Sequence, residues 1–376
     1  PDRLHTTSST FKGTDSGQNQ AARGAKMKGV ILVSLTFHAA RLESLSLKMS
    51  STPLVDPEIL AILRCPVTHQ DLVRISDQEI ASLDGSIRYP VINGIYHLLR
   101  QEALSEDRPY LREEKAKIKN YYDDSGWVKD EDGNYKDFVL NTDVGPWNSY
   151  HSSCALRLRK YLPETGRFIL DAGSGPIPLD EYRTYHDGFE KRICVDISSR
   201  ALEGAREKLG DKGVYILGDL TNLPIKDEIM DAAVSCHVIY HIPEDEQSKA
   251  FIELSRVLRL RGRAVVVYVW PKAPLLNPLK KLFKLIPKTP LPPGDDRNAD
   301  SYYYIHPHTL EWFESQRWPF DYELIGYMIF GADFARKRIG RSWQWKLAMK
   351  VLWVTQQLMP HTTGRYGKYP MIILKR

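Results

Sequence analysis

Apolar runs separated by helix-like stretches dominate the second half of the chain. From Tyr150 onward, runs at 168–170, 193–195, 214–217, 232–234 and 264–269 recur in order, and the intervening stretches 201–209 and 247–260 carry helical spacing. The runs are continuously apolar rather than alternating, which predicts strands of a parallel sheet covered on both faces. Strand alternating with helix predicts a doubly wound α/β fold. Ser198 or Ser199 can cap the first of these helices. Two later runs, 322–330 and 369–374, bring the strand count to seven, and no internal repeat interrupts the pattern.

Ahead of this region the pattern changes. Ile59, Leu60, Ile62 and Leu63 form a helix-like opening, Cys65-Pro66 follows, and strand-like stretches end in Tyr89-Pro90-Val91-Ile92-Asn93-Gly94-Ile95. Residues 56–100 are therefore expected to be a small α+β module. The segment 101–120 is dense in Lys, Arg and Glu and reads as a solvated helix or linker. It runs into an aromatic cluster, Tyr121-Tyr122 and Trp127, around a polar loop. Residues 1–49 are rich in Ser and Thr and poor in acids, and are expected to be a disordered, targeting or upstream segment outside the fold.

Composition narrows the function classes. With 376 residues, 42% hydrophobic and 10% aromatic, the chain can bury a sizeable core and hold two or three domains. A net charge of +5 is too mild to require a nucleic-acid partner, though it permits an anionic substrate or surface. The four cysteines, Cys65, Cys154, Cys194 and Cys236, form no C-x-x-C pair. They read as reduced thiols, so no metal site is expected. No apolar run approaches the roughly 20 residues of a membrane-spanning helix. The expected location is the cytoplasm, or an organelle if residues 1–48 are a transit segment.

The chemistry concentrates at strand ends. The first run closes as Ile169-Leu170-Asp171-Ala172-Gly173-Ser174-Gly175-Pro176, where glycine lets the backbone approach a ligand with no Cβ in the way. A dinucleotide loop would need a third glycine at position 178, which is Pro178, so nicotinamide and flavin cofactors are disfavoured. Asp196 closes the second strand 21 positions after Gly175, where an acid can accept both hydroxyls of a ribose. With Ser198 and Ser199 nearer the helix start, Asp196 is expected to be free for a ligand. The third strand ends in Gly218-Asp219-Leu220, and the fourth in Ser235-Cys236-His237-Val238-Ile239-Tyr240-His241.

Taken in order, Asp171, Gly173, Gly175, Asp196, Gly218-Asp219 and Tyr240-His241 resemble the motif series of class I S-adenosylmethionine-dependent methyltransferases over about 120 residues. The resemblance implies a Rossmann-like seven-stranded sheet with helices on both faces, occupying 150–376. In it Gly173, Ser174 and Gly175 cradle the methionine end of S-adenosylmethionine, and Asp171 anchors its amino group. Asp196 with Ile197 takes the ribose, and Gly218, Asp219 and Leu220 the adenine. Tyr122 and Trp127, within the 101–149 linker, close over the cofactor. His241, Tyr240 and His237 lie where the acceptor reacts and are the catalytic candidates. Ile177 departs from the frequent third glycine, and Leu260-Arg261-Gly262 from the usual Pro-Gly-Gly before the fifth strand.

The 56–100 module carries a second resemblance through Leu63-Arg64-Cys65-Pro66, Tyr89-Pro90-Val91 and Gly94-Ile95. It is similar to the zinc-ribbon-like domain of an activator subunit shared by several tRNA, rRNA and protein methyltransferases. Thr68 stands where a second cysteine would complete the first zinc pair, so metal binding does not carry over.

The expected acceptor is a small molecule, aromatic or lipid-like. The fourth strand lacks both the Asp/Asn-Pro-Pro-aromatic signature of base-nitrogen methylation and the Pro-Cys pair of covalent base-carbon methylation. Substrate selection is expected from lid insertions at about 271–315 and 331–368. Within the first, 272–288 sets Leu275, Leu276, Leu279, Leu282, Phe283 and Ile286 on one helical face with Lys280, Lys281, Lys284 and Lys288 around it. It reads as a lid helix or, alternatively, as a weak contact with an anionic membrane. Tyr302-Tyr303-Tyr304-Ile305-His306-Pro307-His308 and Trp312-Phe313 would enclose an apolar or cationic molecule. Two alternatives stay open: an RNA-modifying methyltransferase, and a catalytically silent cofactor-binding subunit. Oligomeric state is not legible.

Overall fold

The computed structural model describes residues 55–99, 109–131, 133–135, 146–286, 305–332, 334–335 and 342–376. The stretch 1–49, Tyr302 to Tyr304, Lys288 and parts of both lid insertions lie outside the described residues.

A short helix, α1 (Pro57–Ile62), opens the fold, its first turn held by the Asp56 carboxylate, which accepts from the Glu58 amide at 2.8 Å. Four short strands follow: β1 (Leu72–Ser76), β2 (Glu79–Ser82), β3 (Arg88–Ile92) and β4 (Ile95–His97). Between the last two, Asn93 (φ 52°) and Gly94 (φ 74°) both take the left-handed conformation that a two-residue hairpin turn of matching twist needs. Helix α2 (Pro109–Tyr121) continues into a π turn, Tyr122–Gly126. After α3 (Pro146–Leu158) come β5 (Gly166–Ala172), β6 (Phe189–Asp196), α4 (Ser199–Leu209), β7 (Gly213–Leu217), β8 (Met230–Cys236), α5 (Gln247–Val257) and β9 (Leu258–Val267). The chain closes through α6 (Leu276–Phe283), α7 (Leu310–Ser315), β10 (Asp321–Met328), α8 (Trp343–Leu358), α9 (Pro360–Tyr366) and β11 (Tyr369–Lys375).

The strands make one sheet in the order β1-β2-β3-β4-β7-β6-β5-β8-β9-β11-β10. Strands β7, β6, β5, β8 and β9 pair in parallel, and antiparallel β11 lies between β9 and β10. This is the Rossmann-like class I arrangement in β5–β11. Alternate residues of the central strands feed two cores: Phe168 and Leu170 pack with Phe251 and Leu254 of α5, and Ile169 packs with Leu158 of α3, Leu202 of α4 and Leu352 of α8. Both faces are thus covered, as the continuous apolar runs require.

Two expectations need correction. Among the described residues the sheet has eleven strands rather than seven, because β4 pairs in parallel with β7 (Ile95 to Tyr215, His97 to Leu217) and carries the N-terminal strands onto that edge. An edge strand leaves its amide row unpaired, and β4 covers it. The predicted 247–260 helix stops at Val257, because Leu258 already begins β9. Leu260-Arg261-Gly262 lies inside that strand, at a register shift against β8 where Arg261 has φ 67°.

Candidate functional site

The site is assembled at the carboxyl ends of β5, β6, β7 and β8, where ligands bind in open α/β sheets. After β5, Gly173 (φ 75°) and Gly175 (φ 54°) take conformations that a side chain would strain. A Cβ on Gly173 would also collide with Val238, which follows β8. The turn is tied to β6 by Gly173 N donating to Val195 O at 2.7 Å, and by Gly175 N donating to Asp196 Oδ2 at 2.9 Å. Gly173, Ser174 and Gly175 therefore form a tight backbone turn, with Ser174 buried in it.

Asp196 is 7% exposed, and burial pushes its carboxyl up to about 6 despite backbone hydrogen bonds from Ser198 and Gly175. The sequence suggested a side chain with no other duty; instead Oδ1 accepts from Ser198 N at 2.9 Å while Oδ2 holds Gly175. Each carboxylate oxygen keeps a further lone pair for a hydroxyl. Ser198 caps α4 as expected, accepting from Ala201 N at 3.1 Å. Ile197, between these residues, is half-buried.

The other two acids are engaged elsewhere. Asp171 Oδ2 accepts from Arg192 Nε at 3.0 Å and Nη2 at 2.5 Å, a buried pair beneath the loop. Asp219 accepts from Lys115 Nζ at 2.7 Å and from Thr221 N at 2.9 Å. Lys115, 4% exposed on α2, also meets Glu246 at 2.5 Å. Burial would lower its ammonium, but Asp219 and Glu246 raise it above the ordinary lysine range. Gly218 N donates to Asp196 O at 3.0 Å, and Leu220 lies in the core beside it.

The segment after α2 lies over this loop. A Cβ on Gly175 would come 3.3 Å from the Trp127 ring, Trp127 stacks on Tyr122 at 5.4 Å, and Tyr122 meets His241 edge-on at 6.2 Å. His241 packs against Tyr240 at 4.5 Å, and the Tyr240 hydroxyl lies 3.2 Å from His237 Nδ1. An unbroken arc of rings joins the glycine loop to the tip of β8. The ring residues expected to cover the cofactor or to take part in the reaction, Tyr122, Trp127, His237, Tyr240 and His241, belong to it. His237 (φ 63°) also faces Tyr327 and Tyr369, and burial, with His151 and His241 nearby, holds its imidazole down to about 3. It is therefore neutral at pH 7 and a weak base. His151, which stacks on Trp147, is held down to about 4 by burial.

Several residues of this site were not picked out from sequence: Lys115, Glu246, Arg192, His151 and Asp123, whose Oδ1 accepts from Ser198 Oγ at 2.5 Å and pins the π turn to α4. Of the aromatics expected to enclose the acceptor, Tyr302 to Tyr304 lie outside the described residues, the His306 amide donates to Tyr240 O at 3.1 Å, and Phe313 and Trp312 pack elsewhere. Phe313 is buried against Phe251, Trp270 and Trp318, and Trp312 packs on His308 and Trp318. They hold the β9–β10 connection onto the sheet. Phe283 likewise packs against Phe330 and Trp345, anchoring α6 to the protein body. Among the described residues, no three His, Cys, Asp or Glu side chains gather as metal ligands.

Residues 170–266, which hold every strand-end motif above, match the family described as methyltransferase domain. Residues 170–266 form a methyltransferase domain. The methyl donor of this class is S-adenosylmethionine, and the positive-φ glycine cradle and the buried carboxylate at the end of β6 fit it. The chain is similar to the ubiquinone/menaquinone biosynthesis C-methyltransferase UbiE of Yersinia pestis bv. Antiqua (strain Antiqua), at 32% identity over 181 residues, 45% of this chain and 66% of the relative. The chain thus spans slightly less than two thirds of the curated relatives it matches. Among solved structures, phosphoethanolamine N-methyltransferase 1 of Haemonchus contortus has a TM-score of 0.45 at 12% identity, covering 70% of this chain and 49% of that one. Geranyl diphosphate C-methyltransferase of Streptomyces coelicolor A3(2) has a TM-score of 0.43 at 15% identity, covering 72% and 99%.

Proposed function

We propose that the whole chain is an S-adenosylmethionine-dependent methyltransferase acting on a small-molecule acceptor of aromatic or lipid-like character. The observation that carries this reading is the arc of rings from Trp127 over Gly175 to His237 at the tip of β8. It puts the cofactor loop and the acceptor side under one cover. When bound, S-adenosylmethionine supplies an electrophilic sulfonium methyl, so the protein's task is chiefly alignment and exclusion of water. In this reading the Gly173–Gly175 backbone holds the methionine end, Asp196 accepts from the ribose, and the Gly218-Asp219-Leu220 turn borders the adenine. Asp171 supports the loop through Arg192 rather than touching the ligand. His237, neutral and bonded to Tyr240, orients that hydroxyl, and His241 is the proton acceptor if the nucleophile has a proton to lose. The Yersinia relative, whose name places it in ubiquinone and menaquinone biosynthesis, favours a quinone-like acceptor over RNA.

The test has two stages. Calorimetry with S-adenosylhomocysteine should show stoichiometric binding that Asp196→Ala weakens by roughly 10- to 100-fold, the cost of losing a charged, buried acceptor. Incubation with methyl-labelled S-adenosylmethionine and separate pools of quinones, other lipids, polar metabolites and RNA should then label a small-molecule pool. Label in RNA alone would overturn the acceptor class, and absence of cofactor binding would overturn the activity.

A further inference from the structure

We infer that α8 is a membrane-docking helix that lays its outer face on an anionic lipid surface. Solvent-facing helices of soluble proteins turn polar side chains outward. Helix α8 does the reverse. Its exposed positions are Trp343, Leu347, Val351, Val354 and Leu358, together with Lys346 and Lys350. The five apolar residues recur at intervals of four, four, three and four, which gathers them into one stripe, and Lys346 and Lys350 border it on one side. Trp343 is 69% exposed and Leu358 77%. The opposite face is fully used: Trp345, Met349 and Leu352 are buried in the core, and Gln356 donates to Tyr327 O at 2.7 Å while accepting from the Tyr150 hydroxyl at 2.6 Å. The stripe is therefore not a core face left over by a misplaced helix.

Charge decides what covers it. Helix α8 carries Lys346 and Lys350 and no Asp or Glu. A second copy of this chain meeting the stripe across a two-fold axis would set the same cations against each other. An anionic bilayer complements both parts, taking the apolar stripe and Trp343 at the acyl boundary and the lysines at the headgroups. Among the described residues no helix is long and apolar enough to cross a membrane, so the contact is peripheral. This inference stands apart from the identity of the acceptor, since it rests on the outer face of α8 alone.

The experiment is flotation of the full chain with vesicles of about three parts phosphatidylcholine to one of phosphatidylserine, and of phosphatidylcholine alone. Wild type should float with the anionic vesicles and be released by salt. Lys346→Gln with Lys350→Gln should weaken that binding by about fivefold per lysine without changing the weak binding to phosphatidylcholine. Leu347→Gln with Val351→Gln should weaken both. S-adenosylhomocysteine affinity and circular dichroism report whether the variants fold, and quenching of wild-type tryptophan emission by brominated phosphatidylcholine tests insertion with no substitution at all. Wild type that fails to float and shows no quenching overturns the inference, as does a folded Leu347, Val351 variant that floats like wild type. A wild-type dimer in sedimentation equilibrium that both variant pairs dissociate would assign the stripe to a second copy instead.

Discussion

Asp196 and Arg192 show how burial sets the behaviour of single residues here. The Asp196 carboxyl is raised to about 6, so between about pH 4 and 6 the folded protein holds a proton that the unfolded chain has lost, and this group weakens the fold as pH rises through that window. Ribose hydroxyls donate to the ionised form. Cofactor affinity should therefore rise with pH and level off above about 6, falling close to tenfold one unit below, whereas Asp196→Asn should bind weakly with no such pH profile. Calorimetry with S-adenosylhomocysteine on either side of pH 6 checks this, and a wild-type profile as flat as the variant's would remove the assignment. Arg192 is 1% exposed, and among the described residues its acidic partner is Asp171. Arg192→Met should lower unfolding free energy by about 3–5 kcal/mol in urea titrations, and adding Asp171→Asn should recover much of that, because the cost lies in a stranded buried charge. The glycines, Asp196 and the ring residues were legible in the sequence because each has few other reasons to occupy its position. Arg192 was not, because a lone arginine inside an apolar run carries no sign of its partner 21 residues earlier.

Among the elements, α2 was read as a solvated linker because its charges are dense and mixed, yet it seats Lys115 between Asp219 and Glu246. Leu111 and Lys115, four apart, are its two buried positions. That spacing was visible, but a lysine on a helix face ordinarily denotes solvent. Lys115→Met should take the ion pair from Asp219, while Glu246 keeps Lys249 at 2.9 Å, and detach α2 and the π turn that carries Tyr122 and Trp127. Hydrogen exchange over 109–127 should then speed up severalfold while β5 and β6 stay protected. Unchanged exchange there would mean that ring packing, not the ion pair, holds the cover. Helix α8 went unread for a related reason: its outer face is as apolar as its inner one, so no helical period stands out. Strands β5 to β8, by contrast, were read to within four residues, because a buried parallel strand is apolar on both faces, whereas β9 begins six residues before the run at 264–269.

At the scale of the whole molecule, the expected accessory module 56–100 and the sheet of 150–376 share one hydrogen-bonded sheet through β4 and β7. A core containing Ile59, Tyr89, Phe168 and Phe251 crosses that junction. The two regions should unfold in one transition: amides of 72–97 and of 166–196 should lose protection at the same urea concentration. Earlier loss in 72–97 would show the module to be a separate unit. That union could not be read from the sequence, since three residues, Ile95 to His97, make the join to a strand more than a hundred positions away.

The placement of β11 between β9 and β10 bears on how the chain is made. Strand β10 is synthesised first, but it has no neighbour until β11 follows and slots in beside β9. Strand β4 likewise waits for β7. During translation both ends of the sheet therefore stay unsealed while the middle strands, β5 to β8, can already associate. A ribosome that stalls between β10 and β11 releases a chain with the open flank of β9 on display, a ready target for chaperones and proteases.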